Sequence, residues 1–181
     1  MELTPASMTD RIRDHILEIT SGMYLGDKTS DDNTDGKVKV FTMDLPPRQV
    51  PEYEVMTDPY APQTLEPVPN QQTLETYRDE RFPFVIVRFL RSTDTDDMVR
   101  LCEIDLICGV EAEGLQAQKD TLHLMEVIRQ SLLKHDYAGW GFRIARPLDI
   151  DFFEEQTDPY FIGVVSTNWE APTIQTEVRL W

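Results

Sequence analysis

The sequence predicts an α+β fold, a mostly antiparallel sheet of four to five strands with helices packed on one face. Three observations predict it. From Val99 onward Cys102, Ile104, Leu106, Cys108 and Val110 alternate with Glu103 and Asp105, which is the period-two pattern of a strand with one buried face. Just before it, Phe84 to Leu90 is apolar on both faces, as an interior strand would be, and the two make a hairpin. After it, Leu115 to His135 carries apolar residues at intervals of three and four, the mark of an amphipathic helix. Helices and strands in this order stack as helices on a sheet.

The elements follow in chain order. Met8 to Leu25 is expected to be the first helix, capped by Thr9 or Asp10, with Ile12, Ile16, Ile19 and Met23 as its stripe and Gly26 as its stop. A polar turn, Asp27 to Gly36, leads into a short strand, Val38 to Phe41. Leu45 to Asn70 then holds seven prolines: Pro46, Pro47, Pro51, Pro59, Pro62, Pro67 and Pro69. Proline has no N–H for a ladder and disfavours helix at the residue before it. Residues 42–80 therefore read as an extended arm or long loop, either a binding element or a surface loop.

Residues 82–174 form the main core. Ser92 to Asp97 is the expected hairpin turn. The helix that follows should be about 30 Å long. Its stripe is Leu122, Met125, Ile128 or Arg129, and Leu132, widened by Leu124, Val127 and Leu133. Gly139 and Gly141 break the pattern around Trp140. Phe142, Ile144, Leu148 and Ile150 share one face of the next strand, and Tyr160 to Trp169 is the last. Thr176 to Trp181 is a short tail. The whole reads as one domain with an N-terminal helix inside residues 1–25 and no internal repeat.

The 181 residues are 40% hydrophobic and 28% charged, which is globular rather than disordered or fibrous composition. No apolar stretch is long enough to span a membrane, and no secretory signal is visible at the start. Cys102 and Cys108 lie in one expected strand, roughly 20 Å apart. That is too far for a disulfide, so they read as buried apolar residues of a protein made in the cytoplasm. The net charge of -16 repels nucleic acid and anionic membranes and steers the chain toward a basic partner.

Motifs for chemistry are sparse. His15, His123 and His135 are scattered and are expected at exposed helix positions, so no zinc site is expected. GxSxG, P-loop and GxGxxG motifs are missing from the sequence. Asp31, Asn33, Asp35 and Gly36 match the opening of a calcium loop, but the closing glutamate would fall at Thr42, so a polar turn is the better reading. Asp149, Asp151, Glu154, Glu155 and Asp158 form an acidic cluster with no base among them. Glu154 and Glu155 point apart in an extended chain, so a charged contact surface fits better than paired catalytic carboxylates. Aromatics do not interleave with Lys or Arg, so direct nucleic-acid binding is not expected. No enzyme activity, cofactor or metal is expected.

One longer pattern carries a resemblance. It runs Pro83-Phe84-Val85-Ile86-Val87-Arg88, then Ile128-Arg129-Gln130-Ser131-Leu132-Leu133 and Arg146-Pro147-Leu148. It continues with Phe153-Glu154-Glu155-Gln156-Thr157-Asp158-Pro159-Tyr160-Phe161-Ile162-Gly163 and ends in Trp169-Glu170-Ala171-Pro172-Thr173-Ile174. Over Val38 to Ile174 this resembles the tail-terminator and tail-completion proteins of tailed phages and prophages, especially those of Gram-positive hosts.

The resemblance implies an assembly subunit of the virion tail or neck. Such subunits form a ring, usually a hexamer, that caps the tail tube and meets the head connector. The expected partners are other copies of the chain, the tail-tube protein and a connector or neck protein. The proline arm departs from shorter terminators and leaves another neck or minor tail role open. Three places are expected to reach neighbours: the hairpin loop with Asp94 and Asp96; the acidic turn with Asp149, Asp151, Glu154, Glu155, Asp158 and Tyr160; and the arm with Pro51, Tyr53 and Tyr60. Trp169 is added to this surface set. An acidic DNA mimic that binds a DNA-handling protein is the competing reading, since it would also carry a large negative charge.

Overall fold

The computed structural model describes residues 3–26, 36–47 and 79–173. The first helix, α1, is Pro5–Thr20. Its cap is Thr4 and not Thr9 or Asp10: the Ser7 N–H donates to Thr4 Oγ1 at 3.2 Å while the Thr4 N–H donates to Ser7 Oγ at 3.0 Å. With Pro5 in the first turn, where a missing N–H costs nothing, this box fixes the start. Thr9 instead lies inside the helix and donates its hydroxyl to the Ala6 carbonyl at 2.8 Å. The helix also ends before Leu25, because the chain turns away to bridge Tyr24 with Lys37 and to donate the Leu25 N–H to the Gly36 carbonyl at 2.9 Å. Gly26 is not a helix stop. A Cβ there would lie 2.5 Å from the Glu111 carbonyl oxygen, so glycine permits that close approach.

The strands are β1 (Lys39–Thr42), β2 (Phe84–Asp94), β3 (Val99–Glu111), β4 (Arg143–Phe152) and β5 (Tyr160–Pro172). The second helix, α2, is Leu115–Lys134. The sheet order is β1-β2-β3-β5-β4. Only the β1–β2 pairing is parallel; the others are antiparallel. The expected α+β architecture is therefore present as a five-stranded, mostly antiparallel sheet. The hairpin turn is shorter than Ser92 to Asp97, since Ser92, Thr93 and Asp94 all pair with β3. The tip closes with the Thr95 N–H donating to the Val99 carbonyl at 2.9 Å.

Both helices cover one face. Cys102, Ile104, Leu106, Cys108 and Val110 of β3 are fully buried there beneath Met8, Ile12 and Ile16 of α1 and Leu124, Met125, Ile128 and Leu132 of α2. Each such side chain contributes about 1.5–3 kcal/mol on burial. Met125, Ile128 and Leu132 of the expected α2 stripe are buried, with Leu124 beside them, and Ala117 and Thr121 extend it. Leu122 does not belong to it and is 48% exposed. Small Ala117 and Thr121 let the helix sit close on the sheet.

Two irregularities preserve this face. Phe89 pairs with Ile104 and Arg91 with Glu103, so Leu90 is an extra residue. In β4, Arg146 and Pro147 are skipped between Ala145 and Leu148. Skipping two residues keeps Ile144, Leu148, Ile150 and Phe152 on the core side. The opposite face carries a smaller cluster in which Phe82, Phe84 and Ile86 are buried, with Phe41, Leu45, Ile107 and Tyr160 packed against them.

Candidate interaction surface

The register of the ladders fixes what the face away from the helices presents. One half is apolar: the smaller cluster continues into half-buried Ile162 and Val164. The other half is charged. Arg88, Asp105, Ser166 and Asp149 form one row across four strands. Asp105 is engaged by the Ser166 hydroxyl at 2.9 Å. In the neighbouring rows Arg91 pairs with Glu103 at 2.6 Å and Arg143 with Glu170 at 2.8 Å. Among the described residues Arg88, Asp149 and Asp151 have no ion pair or hydrogen bond through their side chains, and all three are exposed. Free positive charge thus lies on β2 and free negative charge on β4.

The expected contact residues fall into separate places. Asp94 is held at the hairpin end by Arg100 at 3.0 Å and by the Thr173 hydroxyl at 2.8 Å. These two hydrogen bonds, Arg100 first, lower its carboxyl below the ordinary value. Asp96 is exposed at the tip. Glu154, Glu155 and Asp158 are exposed in the loop between β4 and β5, at the other end of β3. Twelve residue steps separate those ends, about 40 Å. The loop is pinned rather than loose: Gln156 bonds Ile162, and Asp158 accepts from the Gly114 N–H at 3.3 Å.

Glu155 and Tyr160 line a groove of about 450 Å³ with Arg81, Phe82, Gln156 and Ile162. Arg81 is not free to take a ligand there, since its Nε and Nη2 fork onto the buried carboxylate of Asp79 at 2.9 and 2.6 Å.

Trp169 leaves the surface set. It is fully buried, because it shares the core-facing parity of Val165 and Thr167 in β5. Its indole N–H donates to Thr167 Oγ1 at 2.7 Å. Pro51, Tyr53 and Tyr60 lie outside the described residues, as do Asp31, Asn33 and Asp35 of the calcium-like turn.

The histidines are not all exposed and scattered. His123 is exposed, but the rings of His15 and His135 lie 4.4 Å apart and both touch Trp140. His15 Nε2 is 2.9 Å from Ser131 Oγ. Burial first, and the neighbouring His135 second, lower the His15 pKa. The two histidines stand in different helical regions of the sequence, and only packing of α1 against the end of α2 joins them. No local spacing could have shown it.

Among the described residues no group of three or more His, Cys, Asp or Glu is arranged to hold a metal ion. None of the described helices is long and apolar enough to cross a membrane. Compared with known proteins, the chain matches no family model and no curated protein.

Proposed function

We propose that this chain is a structural assembly subunit of a tailed bacteriophage, of the tail-terminator or tail-completion type. Copies of it close into a ring, a hexamer on this reading, that caps the tail tube and joins it to the head connector or a neck protein. It works by contact and not by catalysis, in the virion tail or neck after synthesis in the host cytoplasm. The sequence pattern from Val38 to Ile174 supports the reading.

The observation that carries it is the sheet face away from the helices, where Arg88 and Asp149, both without an ion pair among the described residues, stand in one residue row. A closed ring needs two different patches on each subunit that fit one another. Opposite free charges on β2 and β4 supply one complementary pair, and complementary charge sets register and partner choice.

The test is a charge swap read by light scattering across protein concentration and salt. Arg88→Asp and Asp149→Arg should each lower the mass of the oligomer. An equimolar mixture should recover it, since every contact can then join opposite charges. Salt should weaken the wild-type oligomer by screening. A strict monomer at all concentrations that also ignores tail-tube protein would overturn the reading.

A further inference from the structure

The loop after α2 is fastened to α1 by a small set of contacts. Arg11 donates from Nη1 to the Gly139 carbonyl at 3.1 Å and to the Trp140 carbonyl at 2.7 Å. His15 packs on His135 and on Trp140, at centroid distances of 4.4 and 5.8 Å. His135 also stacks on Tyr137 at 4.9 Å and on Trp140 at 4.6 Å. The aromatic chain continues inward from Tyr137 to Trp169. Gly139 and Gly141 flank Trp140 with φ of 83° and 77°, left-handed values at which a loop can pivot.

The chemistry of this joint depends on an uncharged His15 imidazole. Beside it, His135 Nε2 is buried with no hydrogen-bond partner among the described residues. A proton on His15 would put a cation beside His135 and near Arg11. The ionisable groups around the pair are Arg11, Asp14 and Glu18 on α1, and Lys134, Asp136 and Tyr137 at the end of α2. Glu18 favours the charged form of His15, but burial and His135 outweigh it.

We propose that residues 135–141 are an acid-released clasp, held on α1 by the packing of neutral His15 on His135 and Trp140 and lifted off when His15 is protonated. Release uncovers Trp140 and the face of α1 around His15, while the sheet and the main core stay closed. The sign follows from the direction of the His15 shift. The closed clasp holds this group below its free value of about 6.5. Its contribution is complete above that pH and is lost as pH falls from there through the folded value. The open population then rises, by at most about tenfold per pH unit, until His15 is protonated in both states.

The test is hydrogen exchange on the full chain between pH 7.5 and 5.0, corrected for the intrinsic rate at each pH. Opening of the segment around Trp140 should rise as pH falls below about 6.5, by at most about tenfold per pH unit, and then level off, while β3 and β5 stay protected. His15→Gln keeps a partner for Ser131 but removes the titration, and it should flatten the response. Opening that ignores pH, or that keeps its slope in His15→Gln, overturns the clasp. If that variant does not fold, the ring C–H resonances of wild-type His15 decide. A midpoint below that of a peptide histidine supports the clasp, and one equal to it overturns the clasp.

Discussion

Gln156 grips both backbone groups of Ile162. Its Oε1 accepts from the Ile162 N–H at 2.9 Å, and its Nε2 donates to the Ile162 carbonyl at 2.8 Å. Strand β4 ends at Phe152, opposite Gly163, so Ile162 has no β4 partner. The glutamine amide takes the place of the next peptide group in that ladder. Gln156 Nε2 also donates to the Phe153 carbonyl at 2.9 Å, so Gln156→Ala should cost about 1.5–4 kcal/mol, three modest hydrogen bonds. It should also raise hydrogen exchange at Ile162 and loosen Glu154 and Glu155. Urea unfolding checks the first expectation. A midpoint unchanged from wild type would mean that water replaces the amide without loss.

Two glycines in adjacent central strands should respond differently to alanine. A Cβ on Gly109 would meet Phe84 Cζ at 2.5 Å and Phe82 Cε1 at 3.1 Å, and both rings are buried. Gly109→Ala must push an aromatic ring, at about 1–3 kcal/mol. A Cβ on Gly163 would meet Met125 Cε and Sδ at 2.6 Å, the far end of a flexible side chain. There the loss is offset by a gain of about 0.4–1 kcal/mol from a stiffer unfolded chain. Thermal melts should rank Gly163→Ala well above Gly109→Ala. The reverse order would show that Met125 cannot move.

The same strands show what was legible in the sequence. Period-two alternation gave β3 and its hairpin with β2 correctly, because each buried residue there is apolar and each open-face residue at Glu103 and Asp105 is charged. Periodicity also places Met125, Ile128 and Leu132 of α2 correctly and fails at Leu122, because small Ala117 and Thr121 carry little hydrophobic signal yet fill the contact at that end of the helix. Trp169 was misread because a large aromatic near a strand end suits either a core or an interface. Strand parity alone puts it inside. The free charges on the open face were legible only in part: Asp149 was named as an acidic residue, but its place across from Arg88 depends on β5 lying between β3 and β4. That strand order is a long-range property.

Both cysteines should be silent in the native protein. Burial pushes the thiols of Cys102 and Cys108 up, and both are buried in the core layer under the helices. For Cys102 the nearby Arg100 works against burial without overcoming it. At pH 8 neither supplies an accessible thiolate, the form that attacks a disulfide reagent. Labelling with such a reagent should therefore be slow in buffer and should accelerate for both thiols together through the urea transition. A fast phase in buffer from either thiol would place it outside the core.

The outer edge of the sheet suggests the last prediction. Among the described residues strand β4 pairs only with β5, and an edge of ten residues is a template for unwanted strand addition. Arg146 and Pro147 interrupt it. They are skipped in the register, exposed, and include one residue with no N–H to offer. Deleting both residues should leave Ile144, Leu148, Ile150 and Phe152 on the core face, since the side-chain period is two. The straightened edge should then drive association beyond the wild-type oligomer, seen as a mass in light scattering that keeps growing with concentration. Deleting Arg146 alone should act differently. It shifts Leu148, Ile150 and Phe152 to the wrong face, so the loss should appear in folding stability, at about 1.5–3 kcal/mol for each large side chain exposed. A double deletion as well dispersed as wild type would show that the bulge does not guard the edge. A single deletion as stable as wild type would show that β4 can re-register around it.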